Sequence, residues 1–131
     1  MHANYDYAVI RVVPRVEREE FVNVGVILAC QEADFLGARI EVDEARLLAL
    51  DPGLDLSAVR RHLAAIPAIC AGGETAGPLA RLSRRERFDW LTAPRSTLIQ
   101  TSAVHSGRCT DAGLALDHLM QTMVRRPAAG G

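Results

Sequence analysis

Tyr5-Asp6-Tyr7-Ala8-Val9-Ile10-Arg11-Val12-Val13-Pro14, followed after a polar connection by Phe21-Val22-Asn23-Val24-Gly25-Val26-Ile27-Leu28-Ala29-Cys30, is the stretch that decides the fold. The β-branched residues of the first run favour a strand, with Tyr5, Tyr7, Val9, Arg11 and Val13 sharing one face by two-residue alternation. Pro14 has no N–H for a ladder and ends it. The second run reads as another strand, in which Gly25 marks a bulge or a close backbone approach rather than a break. A third strand over residues 35–42 follows the acidic turn Glu32-Ala33-Asp34. Three strands in succession favour an antiparallel meander over parallel βαβ winding.

Working outward, residues 44–50 suit a short helical turn before the break at Asp51-Pro52-Gly53. Asp55 or Ser57 can cap a helix over residues 56–66, where Leu56, Val59, Leu63 and Ile66 recur at helical spacing, and Pro67 ends or bends it. Residues 71–79, with Gly72, Gly73, Gly77 and Pro78, read as a loop within one domain. Ser83-Arg84-Arg85-Glu86 has capping-box spacing and predicts a helix over 84–91, packed through Phe88 and Leu91, with Arg85 and Asp89 as an exposed pair. Residues 97–105 read as a late strand with Gln100 and Ser102 on one face and His105 on the other. Thr110 can cap a last helix running to about Val124 and packed through Leu116, Leu119, Met120 and Met123. Residues 127–131 read as a flexible tail. The expected architecture is one α+β domain over residues 1–131, an antiparallel sheet of about four strands packed by three main helices.

Length agrees: 131 residues suffice for one domain that removes roughly two-thirds of its unfolded surface from water. All 15 basic residues are Arg, against 16 acids. Residues 1–80 hold 7 Arg and 12 acids, and residues 81–131 hold 8 Arg and 4 acids, so a net −5 faces a net +4. That polarity suits pairing between the two parts or a composite interface. Near-neutrality argues against a basic nucleic-acid wrapper, and no apolar run reaches the roughly 20 residues of a bilayer span. The dispersed Cys30, Cys70 and Cys109 suit packing groups in a reduced, cytoplasmic protein.

The chain has no complete phosphate loop, dinucleotide fingerprint, kinase signature or zinc motif, and neither metal nor cofactor is expected. Its densest polar grouping is Arg95, Ser96, Gln100, Ser102, His105, Arg108 and Asp111. There Arg95 and Arg108 can clamp an anion, the serines can direct hydrogen bonds, and His105 can carry a proton. Asp111 can orient His105 or start the last helix, and the same residues can instead stabilise turns. A second grouping, Arg11, Arg15, Arg18 and Asn23, falls near one end of the sheet. It can meet a protein carboxylate or a phosphate, whereas Glu17, Glu19 and Glu20 oppose a general duplex-DNA surface.

Tyr5 to Pro14, Arg18-Glu19-Glu20-Phe21-Val22-Asn23-Val24-Gly25-Val26-Ile27-Leu28, and then Pro94-Arg95-Ser96, Ile99-Gln100, Ser102, His105, Gly107 and Asp111 resemble a bacterial family of unknown function, domain of unknown function 3037. The resemblance spans nearly residues 4–124 and implies a bacterial single-domain protein. It supplies no catalytic template. Family members look associated in gene neighbourhoods with HipA-like kinase-fold proteins, which implies an accessory or regulatory protein that binds such a partner. The competing expectation is a small enzyme or ligand-binding domain for a phosphate-bearing or nucleic-acid-derived ligand, using Arg95, Ser102 and His105. Oligomeric state is left open.

Overall fold

Strand β1 (Ala3–Val12) lies inside the sheet and organises the rest of the chain. In the computed structural model, which describes residues 2–125, β2 (Val22–Cys30) pairs antiparallel with one side of β1 and β3 (Phe35–Ile40) pairs with β2. The other side of β1 is shared by two short antiparallel strands, β4 (Ile99–Thr101) and β5 (His105–Cys109). Four α-helices complete the described fold: α1 (Glu44–Leu50), α2 (Leu56–Ala71), α3 (Arg84–Leu91) and α4 (Ala112–Met123). Short 3-10 helices occupy Val16–Arg18, Gln31–Ala33 and Gly73–Arg81.

Both faces of the sheet are buried along β2, where Val24 to Leu28 form an unbroken buried run. On one face Ile10, Val12, Val22, Val24 and Ile27 meet Leu47 of α1, Val59 and Leu63 of α2, and Phe88 of α3. On the opposite face Val26, Leu28 and Cys30 meet Leu116, Leu119 and Met120 of α4. The alternation changes phase at a bulge: Ile10 lies opposite Gly25 but Arg11 opposite Asn23, so Val24 is the additional residue. A Cβ on Gly25 would lie 2.5 Å from the Arg39 carbonyl oxygen, so the glycine answers both a bulge and a close backbone approach.

The architecture differs from the expected count of about four strands and three main helices. Residues 44–50 form a full helix because the Asp43 side chain accepts from the Arg46 N–H and Leu47 is completely buried. Helix α2 runs through Pro67 to Ala71: burial of Ile66, Ile69 and Cys70 on either side of the proline outweighs a cost of about 3 kcal/mol for an interior proline. Residues 73–81 are 3-10 helix interrupted at Gly77, with Ala76 buried. The capping box of α3 forms as its spacing predicts, whereas α4 is capped by Asp111, not Thr110.

The late strand is two strands. Thr101 lies opposite Ile10 and His105 opposite Tyr7, so three residues, Ser102 to Val104, face two, Ala8 and Val9. This offset reverses the side-chain parity, and Gln100 and His105 therefore share the α4 face, where strict alternation places them on opposite faces. Among the described residues no helix is long and apolar enough to cross a membrane. The expected tail at 127–131 lies outside the described residues.

Candidate functional site

The eleven residues singled out in the sequence are distributed along the whole length of β1 rather than around one cleft. At the Val12 end, Arg11 lies between Asn23 of β2 and Gln100 of β4, so both early and late groupings contribute to one lateral row. The Arg11 guanidinium stacks over Phe21 at 4.1 Å, the Asn23 amide donates to the Met123 carbonyl at 3.1 Å, and the Gln100 amide donates to the Thr97 carbonyl at 2.8 Å. Arg15 meets Asp51 at 3.6 Å and Arg18 meets Glu20 at 2.5 Å.

At the Ala3 end, Arg108 is exposed opposite Asn4, and Asp111 accepts from the Leu114 N–H at the start of α4. Arg11 and Asn4 are seven residues apart on β1, which separates their partners Gln100 and Arg108 by about 23 Å. Arg95 is held on the carbonyls at the end of α3 and lines a groove beside β4 that does not include Arg108, so the two do not form one clamp. Ser102 is buried in the β1 ladder, and the exposed His105 ring stacks with Tyr7 at 5.5 Å between centroids. Arg95, Ser102 and His105 thus engage three separate sets of neighbours. Ser96 is exposed in the turn before β4.

Arg95 does belong to a structured surface. Its guanidinium donates to the carbonyls of Trp90, Leu91 and Ala93, covering the C-terminal end of α3 where the helix dipole favours a cation. The same group lies 4.6 Å from the Trp90 ring centroid, and Trp90 remains 46% exposed. Beside this pair is a groove of about 400 Å³ between α2 and β4, walled by Ile66, Ile69, Leu91, Leu98 and Ile99. Among the described residues, His62 and Arg95 are the ionisable groups on its lining, and no Asp or Glu lines it. Trp90 and His62 escaped the sequence reading. The available signal was a lone tryptophan two residues beyond Phe88, off the stripe through which α3 packs.

The charge polarity of the sequence closes in part on itself. Arg85 meets Asp6 at 2.6 Å, Arg84 meets Asp34 at 3.7 Å and Arg125 meets Glu41 at 2.7 Å, each joining the Arg-rich part to the acidic part. The hydrogen bonds from Arg85 and from the Ser106 hydroxyl hold the Asp6 carboxyl below the usual carboxylate range. These two bonds fix the start of α3 to β1 and β5. Arg87, by contrast, is buried without a carboxylate: it donates to the Leu82 carbonyl at 2.7 Å and lies against the Gly72 turn at the end of α2. Burial pushes the Cys70 thiol up to about 11, and burial together with the neighbouring Cys30 thiol raises Cys109. Among the described residues no group of three or more His, Cys, Asp or Glu is arranged to hold a metal ion.

These elements define an α+β domain with helices on both faces of a five-stranded sheet whose pairings are antiparallel. A family model described as protein of unknown function, DUF3037, matches residues 7–124, and the chain belongs to that family. Neither a curated protein nor a solved structure is found to match the chain.

Proposed function

We propose that the chain is a noncatalytic protein-binding module, an accessory or regulatory partner of a HipA-like kinase-fold protein in the bacterial cytoplasm. The observation that carries the binding role is the exposed Trp90, held by Arg95 at the mouth of an apolar groove. Tryptophan and arginine are the side chains most enriched at energetically dominant interface positions, because they combine large apolar area with directional polar contact. Apolar walls supply affinity, while the cationic rim orients the partner. The kinase-fold identity of the partner rests on the family resemblance alone. The dispersal of Arg95, Ser102 and His105 weighs against one local reaction centre built from them.

Co-expression with the neighbouring kinase-fold protein, followed by size-exclusion chromatography, tests this reading. A stoichiometric complex supports it. Separate elution at micromolar concentrations, with and without nucleotide, overturns it.

A further inference from the structure

We propose that the groove is filled by strand addition: an extended segment of the partner pairs with the free edge of β4, sets an apolar side chain against Trp90, and carries a carboxylate toward Arg95 or His62. This inference rests on the protein-binding reading and specifies how that binding occurs. The backbone direction of β4 is fixed at both ends. Val13 N–H donates to the Leu98 carbonyl at 2.7 Å and Ser102 N–H donates to the Val9 carbonyl at 2.9 Å. Leu98 and Ser102 therefore turn their backbone groups toward β1, and alternation turns those of Ile99 and Thr101 outward. Among the described residues no strand pairs on that outward side. The Thr97 hydroxyl donates to the Ile99 carbonyl, which leaves the Ile99 N–H and both backbone groups of Thr101 for an added strand.

The groove continues from this edge. Thr97 to Thr101 form one wall, and His62, Ala65, Ile66 and Ile69 of α2 form the other. A strand laid beside β4 would direct alternate side chains into the space between these walls, so main-chain pairing and side-chain anchoring use one surface. Three residues of edge give few hydrogen bonds, and the apolar walls must therefore provide most of the affinity.

Charge selects the occupant. Among the described residues, the ionisable groups on the lining are a histidine and an arginine, with no carboxylate to answer them. Arg95 uses three of its five N–H donors on the carbonyls of Trp90, Leu91 and Ala93, and its remaining donors and its stacked position are preset for an incoming carboxylate. A second copy of this chain joined edge to edge would set one Arg95 guanidinium against the other, so the structure favours a different, acidic partner segment.

Amide hydrogen exchange on the full chain, alone and mixed with the neighbouring kinase-fold protein, tests the inference together with Ala65→Arg and His62→Glu. Both substituted positions are exposed on α2, so the variants leave the core intact, as circular dichroism will verify. The expected results are new protection at Ile99 and Thr101 on mixing, at least tenfold weaker binding for Ala65→Arg, and weakened binding for His62→Glu. Wild-type binding without protection at Ile99 and Thr101, and with Ala65→Arg unaffected, overturns strand addition while leaving the protein-binding reading intact. Failure of the wild-type chain to bind overturns that reading and this inference with it. Protection that arises in the isolated chain through concentration-dependent dimerisation assigns the groove to a second copy and overturns the partner assignment.

Discussion

The Val9 N–H donates to the Ser102 hydroxyl at 2.9 Å, while the Ser102 N–H donates to the Val9 carbonyl at 2.9 Å. One residue thereby satisfies both backbone groups of Val9 where three residues, Ser102 to Val104, face two of β1. The side chain takes the place of the carbonyl that an uninterrupted ladder would supply. This exchange lets β4 and β5 share one edge of β1.

Ser102→Ala will leave the buried Val9 N–H without an acceptor. An expected loss of about 1–3 kcal/mol follows from an orphaned buried donor. Urea denaturation monitored by circular dichroism measures it. An unchanged midpoint would show that the hydroxyl is dispensable to the sheet.

The glycines of the sheet differ in what a methyl group would meet. At Gly25 it meets the Arg39 carbonyl oxygen at 2.5 Å, which is backbone and cannot rotate away. At Gly107 it meets the Tyr5 ring, also at 2.5 Å, but the ring belongs to a half-buried side chain that can swing outward. Gly25→Ala is therefore expected to cost about 3 kcal/mol and Gly107→Ala about 1 kcal/mol. Chemical denaturation of the two variants ranks them, and the reverse order would contradict the packing described.

Asp6 makes stability depend on acid. Its folded carboxyl is more acidic than in the unfolded chain, first through the hydrogen bond from Arg85 and then through that from Ser106. The unfolded state therefore binds the proton more readily. The contribution is complete above the ordinary carboxylate range and is lost as pH falls through the depressed folded value. Arg85 is half exposed, so solvent screening limits this contribution to on the order of 1 kcal/mol. Stability measured across the acidic range will fall less steeply for Asp6→Asn than for the wild type. Identical pH profiles would refute the linkage.

Much of the fold could be read from strand alternation and capping chemistry. The meander follows from the β-branched runs around Gly25, and α3 follows from Ser83 and Glu86. The failures share a physical origin in tertiary packing. Pro67 reads locally as a stop, yet Ile66, Ile69 and Cys70 are buried around it and carry α2 onward. The division of the late strand depends on the Ser102 side chain reaching Val9, 93 positions away, and no local pattern encodes that contact. For the same reason the polar residues 95–111 look like one cluster in sequence although β1 spreads them along its length. Arg11, Asn23 and Gln100 do stand side by side across three strands, but their adjacency depends on a register that hydrophobic alternation alone leaves open.

The three thiols will differ in reactivity. Cys30 and Cys70 are buried, Cys70 with its thiol pushed up to about 11, while Cys109 is partly exposed. With Ellman's reagent on the native protein at pH 8, Cys109 is expected to react first, slowly because burial and Cys30 raise it as well. Cys30 and Cys70 will react at the rate of unfolding. Simultaneous rapid reaction of all three would contradict the packing on both faces of the sheet.

Whether Trp90 marks a protein-binding surface is measured at the tryptophan itself. The chain contains one Trp, so incorporation of 5-fluorotryptophan gives a single fluorine resonance. Titration with the unlabelled kinase-fold protein is predicted to shift or broaden that resonance to saturation at a fixed stoichiometry, as Trp90 passes from 46% exposed into contact. A resonance that stays unchanged while chromatography shows a complex would place the partner elsewhere and contradict a binding role for Trp90.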